Sequence, residues 1–171
     1  MNILLLGYGN PGRGDDGIGP VLIERLEQYF SPAQENQHQI SFLTAMQLQP
    51  EHVLDLEMHE KVMLVDAGMG TPAPFSFKQV SPDRDDSFTT HALSPWSLLA
   101  IYREILVKEP PPTFLLTIRG EQFSLGAPLS PMVRTRLEQA LAFVLALLRH
   151  PDSTWALGMN TGKEDARAVP G

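Results

Sequence analysis

The first dozen residues restrict the fold more than any other segment. Ile3-Leu4-Leu5-Leu6 is a short, uninterrupted apolar run, and Gly7-Tyr8-Gly9-Asn10-Pro11-Gly12 breaks it at once. A run without polar alternation has no face to offer to water. It fits a strand covered on both sides and followed by a glycine-rich turn. Beyond the turn, Asp15 and Asp16 precede Ile18, Leu22, Leu26 and Phe30, which recur every four residues with Val21 beside them. That spacing predicts a helix with one apolar face, ending near Ser31-Pro32. Acids in its first turn suit the positive end of the helix dipole.

The same punctuation continues along the chain. Ile40 to Thr44 is a second strand candidate, and Gln49-Pro50-Glu51 opens a short helix through Val53, Leu54 and Leu56. Val62-Met63-Leu64-Val65 is a third buried strand, stopped by Asp66-Ala67-Gly68. Phe75 to Val80 alternates apolar and polar residues, as an antiparallel edge strand does. Leu98, Tyr102 and Ile105 mark another helix, Thr113 to Ile118 a further strand, and Val133, Leu137, Leu141, Val144, Leu145 and Leu148 the final helix.

Strands alternating with helices predict an α/β fold: a three-layer sandwich with a twisted, mostly parallel sheet of about five strands and helices on both faces. Residues 1–150 form its single domain, and 151–171, where periodicity disappears, are expected to be a mobile tail. Right-handed crossovers give the first three strands the order 2-1-3. The crevice at that switch point lies between the carboxyl ends of strands one and three, beside Gly7 and Asp66.

Composition removes several classes of function. The 171 residues are 43% apolar and 19% charged, which is a globular balance. With 13 basic and 20 acidic side chains the net charge is -7, the wrong sign for tracking phosphates, so no nucleic-acid partner is expected. Absence of cysteine excludes disulfides, thiolate metal sites and a cysteine nucleophile. The longest apolar run, Ala140 to Leu148, falls well short of the roughly 20 residues of a membrane span. The start carries no basic flank of a signal peptide, so a cytoplasmic location is expected.

Gly7 to Gly12 formally matches the dinucleotide fingerprint G-x-G-x-x-G. Pro11 removes a backbone donor, however, and Ile40 to Thr44 offers no acid for a ribose. Asp15 and Asp16 stand where a phosphate would sit, and two like charges 4 Å apart repel by about 4 kcal/mol at an effective dielectric of 20. No permanently bound organic cofactor is expected.

Three residues far apart in sequence can meet in the crevice. Asp16 starts the first helix, Asp66 ends the third strand, and His91 precedes the next helix in Thr89-Thr90-His91-Ala92-Leu93-Ser94-Pro95. Clustered carboxylates must share a proton, pair with a cation or hold a metal. Two oxygens and one imidazole suit a divalent ion such as nickel, zinc or manganese, with positions left open. Plainer roles exist for each: Asp15 or Asp16 as a helix cap, Asp66 as a turn residue. His38, His52, His59 and His150 read as structural or surface residues, Ser94 as a helix cap, and Asp83, Asp85 and Asp86 as a solvated loop. Neither G-x-S-x-G nor H-E-x-x-H occurs.

Together, Ile3-Leu4-Leu5-Leu6-Gly7-Tyr8-Gly9-Asn10, Asp15-Asp16-Gly17-Ile18-Gly19, Leu64-Val65-Asp66-Ala67 and His91 resemble the hydrogenase maturation proteases. These endopeptidases trim a C-terminal extension from the large subunit of NiFe hydrogenases. The resemblance spans about the first 95 residues and implies metal-binding roles for Asp16, Asp66 and His91. The first of these is glutamate in many relatives, one methylene longer. Where some relatives carry an acidic, glycine-rich segment after strand two, this chain reads Phe42-Leu43-Thr44-Ala45-Met46-Gln47-Leu48. Gly9, Asn10, Asp15 and Gln47 are the candidates for contacting substrate.

The resemblance further implies nickel presented by the large-subunit precursor, with these carboxylates and the imidazole as added ligands. Cleavage then uses either a metal-polarised carbonyl or water, or Asp16 and Asp66 as acid and base. One rival is a peptidyl-tRNA hydrolase, whose turn Gly9-Asn10-Pro11-Gly12 echoes, but Arg13-Gly14-Asp15-Asp16 stands where its histidine is expected. The other is a non-catalytic chaperone docking on the hydrogenase through the same surface.

Overall fold

Alternate residues of the first strand face two different cores. In the computed structural model, which describes residues 1–30, 38–83 and 92–155, Ile3 and Leu5 pack into one buried cluster and Leu4, Leu6 and Tyr8 into another. All five strands predicted from sequence form: β1 (Asn2–Tyr8), β2 (Gln39–Ala45), β3 (Lys61–Gly68), β4 (Phe75–Val80) and β5 (Thr113–Arg119). They make one sheet of order β2-β1-β3-β5-β4. The pairs β1–β2, β1–β3 and β3–β5 are parallel, and β4 runs antiparallel to β5 at the edge. The 2-1-3 order is therefore present, and the switch point lies between β1 and β3.

Four helices cover the sheet: α1 (Ile18–Tyr29), α2 (His52–Glu57), α3 (Pro95–Leu106) and α4 (Pro131–Leu148). The first core buries Ile18, Leu22, Ile23 and Leu26 of α1 with Val133, Leu137, Leu141 and Val144 of α4. Val53 and Leu56 of α2 join Leu98, Leu99 and Tyr102 of α3 in the second. Ile105, read as part of the α3 stripe, is 61% exposed on the helix's last turn. Ser94 caps α3, accepting from the backbone N–H of Ser97 at 3.2 Å.

Two features differ from expectation. The chain enters α1 through a separate 3-10 turn, Gly14–Gly17, and neither aspartate caps the helix, whose N-cap is Gly17. The segment after residue 150 also begins as part of the core. Trp155 is fully buried, its ring 5.2 Å from that of Phe114, and Lys61 Nζ lies 4.6 Å from the indole centre. Lys61 Nζ donates to the carbonyls of Pro151 (2.6 Å) and Ser153 (3.0 Å), tying this stretch across the start of β3. A single buried indole carries no helical or strand period, so pattern alone could not reveal it. The rest of the expected tail, 156–171, lies outside the described residues.

Candidate functional site

The glycine turn works by close approach. A Cβ on Gly7 would stand 2.4 Å from the carbonyl oxygen of Gly19, so α1 rests directly on the end of β1. Gly9 has φ 143°, a conformation other residues rarely adopt, and a Cβ there would stand 1.9 Å from the Asp16 carbonyl oxygen. These contacts fold the chain back so that Asp16 lies over the end of β1. Its Oδ2 accepts the backbone N–H of Asn10 at 2.8 Å, and Asn10 Oδ1 accepts that of Gly12 at 2.8 Å. The Asn10 side chain thus closes the turn, and the Asn10 backbone N–H holds Asp16.

Asp66 arrives from the neighbouring strand. Gly7 pairs with Val65, so Tyr8 and Asp66 continue the two strands side by side at the carboxyl edge. Asp66 Oδ1 accepts the backbone N–H of Ala67 at 2.7 Å. Burial, reinforced by the charge of Asp16, raises its carboxyl to about 7, against the lowering effects of the Ala67 amide and the Tyr8 phenol. Tyr8, nearly buried itself, has its phenol pushed well up, by burial first and by Asp66 second. Asp16 and Asp66 therefore sense each other electrostatically at one crevice.

A carboxyl raised in this way is partly protonated at neutral pH, and it is also one that a cation would stabilise in its charged form. Two carboxylates alone are an incomplete ligand set. Among the described residues no group of three or more His, Asp or Glu side chains stands ready to hold a metal. His91, the expected third member, lies outside the described residues, as do Asp85 and Asp86.

Asp15 plays a different part from its neighbour. Sequence grouped it with the substrate-contacting residues, but it is fully buried and its carboxylate is used inside the protein. Oδ2 accepts the backbone N–H groups of Glu121 and Gln122 and the Ser130 hydroxyl, and Oδ1 the Ser130 backbone N–H, all at 2.8 Å. Burial pushes this carboxyl up, but the Ser130, Glu121 and Gln122 donors outweigh it and hold it below the ordinary range. Asp15 thereby pins the loop after β5 beside the crevice. Of the other substrate candidates, Gly9 is buried in the turn, while Gln47 is exposed just past β2.

No protein-family model matches the chain, and no curated protein matches it in sequence. Solved structures do. The hydrogenase maturating endopeptidase HybD from E. coli superposes with a TM-score of 0.66 at 26% identity, over 88% of this chain and 94% of its own. The maturation protease HycI from Thermococcus kodakarensis KOD1 gives 0.67 at 19% identity, over 87% of this chain and 93% of its own. The fold is that of the hydrogenase maturation proteases. Two of the other histidines make local contacts: His52 Nδ1 accepts the Gln49 backbone N–H at 2.8 Å, and His59 lies 2.6 Å from the Asp55 carbonyl and 2.9 Å from Ser41 Oγ. No helix among the described residues is long and apolar enough to cross a membrane.

Two residues at this edge of the sheet escaped sequence reasoning. Tyr8 sits inside an apolar strand and reads as core, and only the β1–β3 register sets it beside Asp66. Arg119, at the end of β5, carries no motif; its signal is its position, opposite Gly68 and two residues beyond the Asp66–Thr117 pair.

Proposed function

We propose that this chain is an endopeptidase that removes the C-terminal extension of a NiFe hydrogenase large-subunit precursor after nickel insertion. The observation that carries this reading is a half-buried Asp66 that feels the charge of Asp16 at the switch point of a maturation-protease fold. The reaction class follows from two carboxyl groups held near each other with one displaced to about 7. Such a group exists in both protonation states at neutral pH. Hydrolysis needs a proton taken from the attacking water and one given to the leaving amine, and the pair can do both.

Nickel enters as part of the substrate. Asp16 and Asp66, with His91 as the proposed third ligand, present hard oxygen and imidazole donors to a divalent ion carried by the precursor. An unloaded precursor lacks that ion and loses the affinity it supplies, so maturation is checked before the extension is cut. The ion also offers a Lewis acid for the scissile carbonyl. Both routes use the same two aspartates.

The test is incubation of the protein with nickel-loaded and nickel-free precursor, read by intact mass. Shortening of the loaded precursor alone is the expected result. Unchanged length of the loaded form would reject the protease in favour of a docking chaperone. Equal shortening of both forms would reject nickel recognition while keeping the peptidase.

A further inference from the structure

At the sheet edge that carries Asp66 stands a cation that the proposed chemistry does not use. Arg119 pairs with Gly68 in the parallel β3–β5 ladder, and Thr117 with Asp66. Two residues along a strand cover about 7 Å, and residues two apart share a face. Arg119 therefore follows Asp66 and Thr117 on the crevice side of the sheet's end. The Arg119 side chain keeps 40% of its surface exposed. Its Nε is buried without a hydrogen bond, so the exposure lies on the rest of the side chain.

The nearby carboxylate, Glu121, is shared between two guanidinium groups and lies closer to the other one. Glu121 Oε1 accepts a 2.8 Å hydrogen bond from Arg136 Nη1, while Arg119 Nε stands 3.4 Å from the same oxygen. Arg136 also donates to the Arg119 carbonyl at 2.9 Å, so α4 fixes the backbone from which Arg119 extends. Glu121 is itself fastened through its amide to Asp15. The result is a rigid mount carrying a guanidinium whose ion pair is long and incomplete. A guanidinium fork matches a carboxylate in two parallel hydrogen bonds. In a chain of net charge -7 with two acids in the crevice, an acidic segment needs such a cation to approach.

We propose that Arg119 anchors a carboxylate of the substrate polypeptide, within about three residues of the cleaved bond at ~3.3 Å per extended residue. This deepens the protease reading and rests on it for the identity of the substrate. The carboxylate belongs either to an acidic side chain near the cleaved bond or to the free C-terminus of a very short extension. Arg119 is a specificity residue here, and Asp16 and Asp66 remain the reacting groups.

The experiment measures both precursor binding and cleavage for the wild type, Arg119→Ala and Arg119→Lys, with circular dichroism confirming the fold. Arg119→Ala is expected to weaken binding and raise KM about tenfold or more, with kcat within about twofold, and Arg119→Lys to recover part of the loss. Amide replacement of each precursor acid near the bond, and of the C-terminal carboxylate, identifies the source. The correct replacement weakens wild-type binding as much as Arg119→Ala does and adds nothing in that variant. Unchanged binding and KM in Arg119→Ala overturn the proposal, as does a loss confined to kcat or additive with every precursor change. Wild-type binding without cleavage would refute the protease while the binding arm still judges Arg119. Wild-type protein that neither binds nor cleaves overturns both.

Discussion

Asp15→Asn changes one oxygen to an amide nitrogen at a site where the carboxylate accepts four hydrogen bonds, each 2.8 Å long. The best orientation keeps the amide oxygen on the Glu121, Gln122 and Ser130 Oγ donors and turns its NH2 toward the Ser130 backbone N–H. That N–H is then orphaned, at about 1–3 kcal/mol. The three remaining bonds lose their charge assistance, roughly 1 kcal/mol each. Relief of burying a charge offsets part of this, leaving a loss of about 3–5 kcal/mol from a total that is typically ~5–15.

Urea unfolding followed by tryptophan emission, with a typical slope near 2 kcal/mol/M, should show the midpoint falling by about 2 M. Asp16→Asn is the internal control, since among the described residues its carboxylate holds a single backbone N–H. It should cost about 1 kcal/mol. The pH dependence has a definite sign. Because the folded carboxyl of Asp15 is depressed, its contribution is present above the unfolded value near 3.9 and is lost as pH falls through the folded value. The gap between wild type and Asp15→Asn must therefore narrow on acidification. A gap below about 0.5 kcal/mol at pH 7, or an equal loss in Asp16→Asn, would show that Asp15 does not anchor the loop.

Other outcomes follow from the same contacts. Asp16→Asn, Asp66→Asn and His91→Ala should stay folded yet slow precursor processing by about 100-fold or more; full-rate cleavage by all three, in a mass-spectrometric time course, rejects the site. Trp155→Ala should lose roughly 3–5 kcal/mol, because it empties a fully buried pocket between Phe114, Phe77 and Lys61. A melting curve by circular dichroism that matches the wild type would mean residues 151–155 are dispensable. Gly7→Ala should cost about 1–3 kcal/mol, since its methyl meets the Gly19 carbonyl, and unfolding titrations showing no loss would contradict that close packing.

The architecture is legible in the linear pattern of residues. Buried parallel strands such as β1 and β3 must be apolar throughout, helices such as α4 must show a 3.6-residue stripe, and β4 at the edge must alternate. Those requirements are local, so Ile3–Leu6, Val62–Val65, Phe75–Val80 and Val133–Leu148 state them openly. Chirality of the crossovers then gave the order of the first three strands, and with it the edge where Asp16 and Asp66 meet. What adjacent residues do there depends on the folded surroundings. Asp15 and Asp16 are chemically identical neighbours, but one turns inward to four donors more than a hundred residues away and the other takes the Asn10 backbone N–H of the glycine turn. Tyr8 and Arg119 acquire their places from strand register, and Trp155 from a core assembled by distant segments. Burial and hydrogen-bond supply are properties of what surrounds a side chain, and the linear order of residues does not contain them.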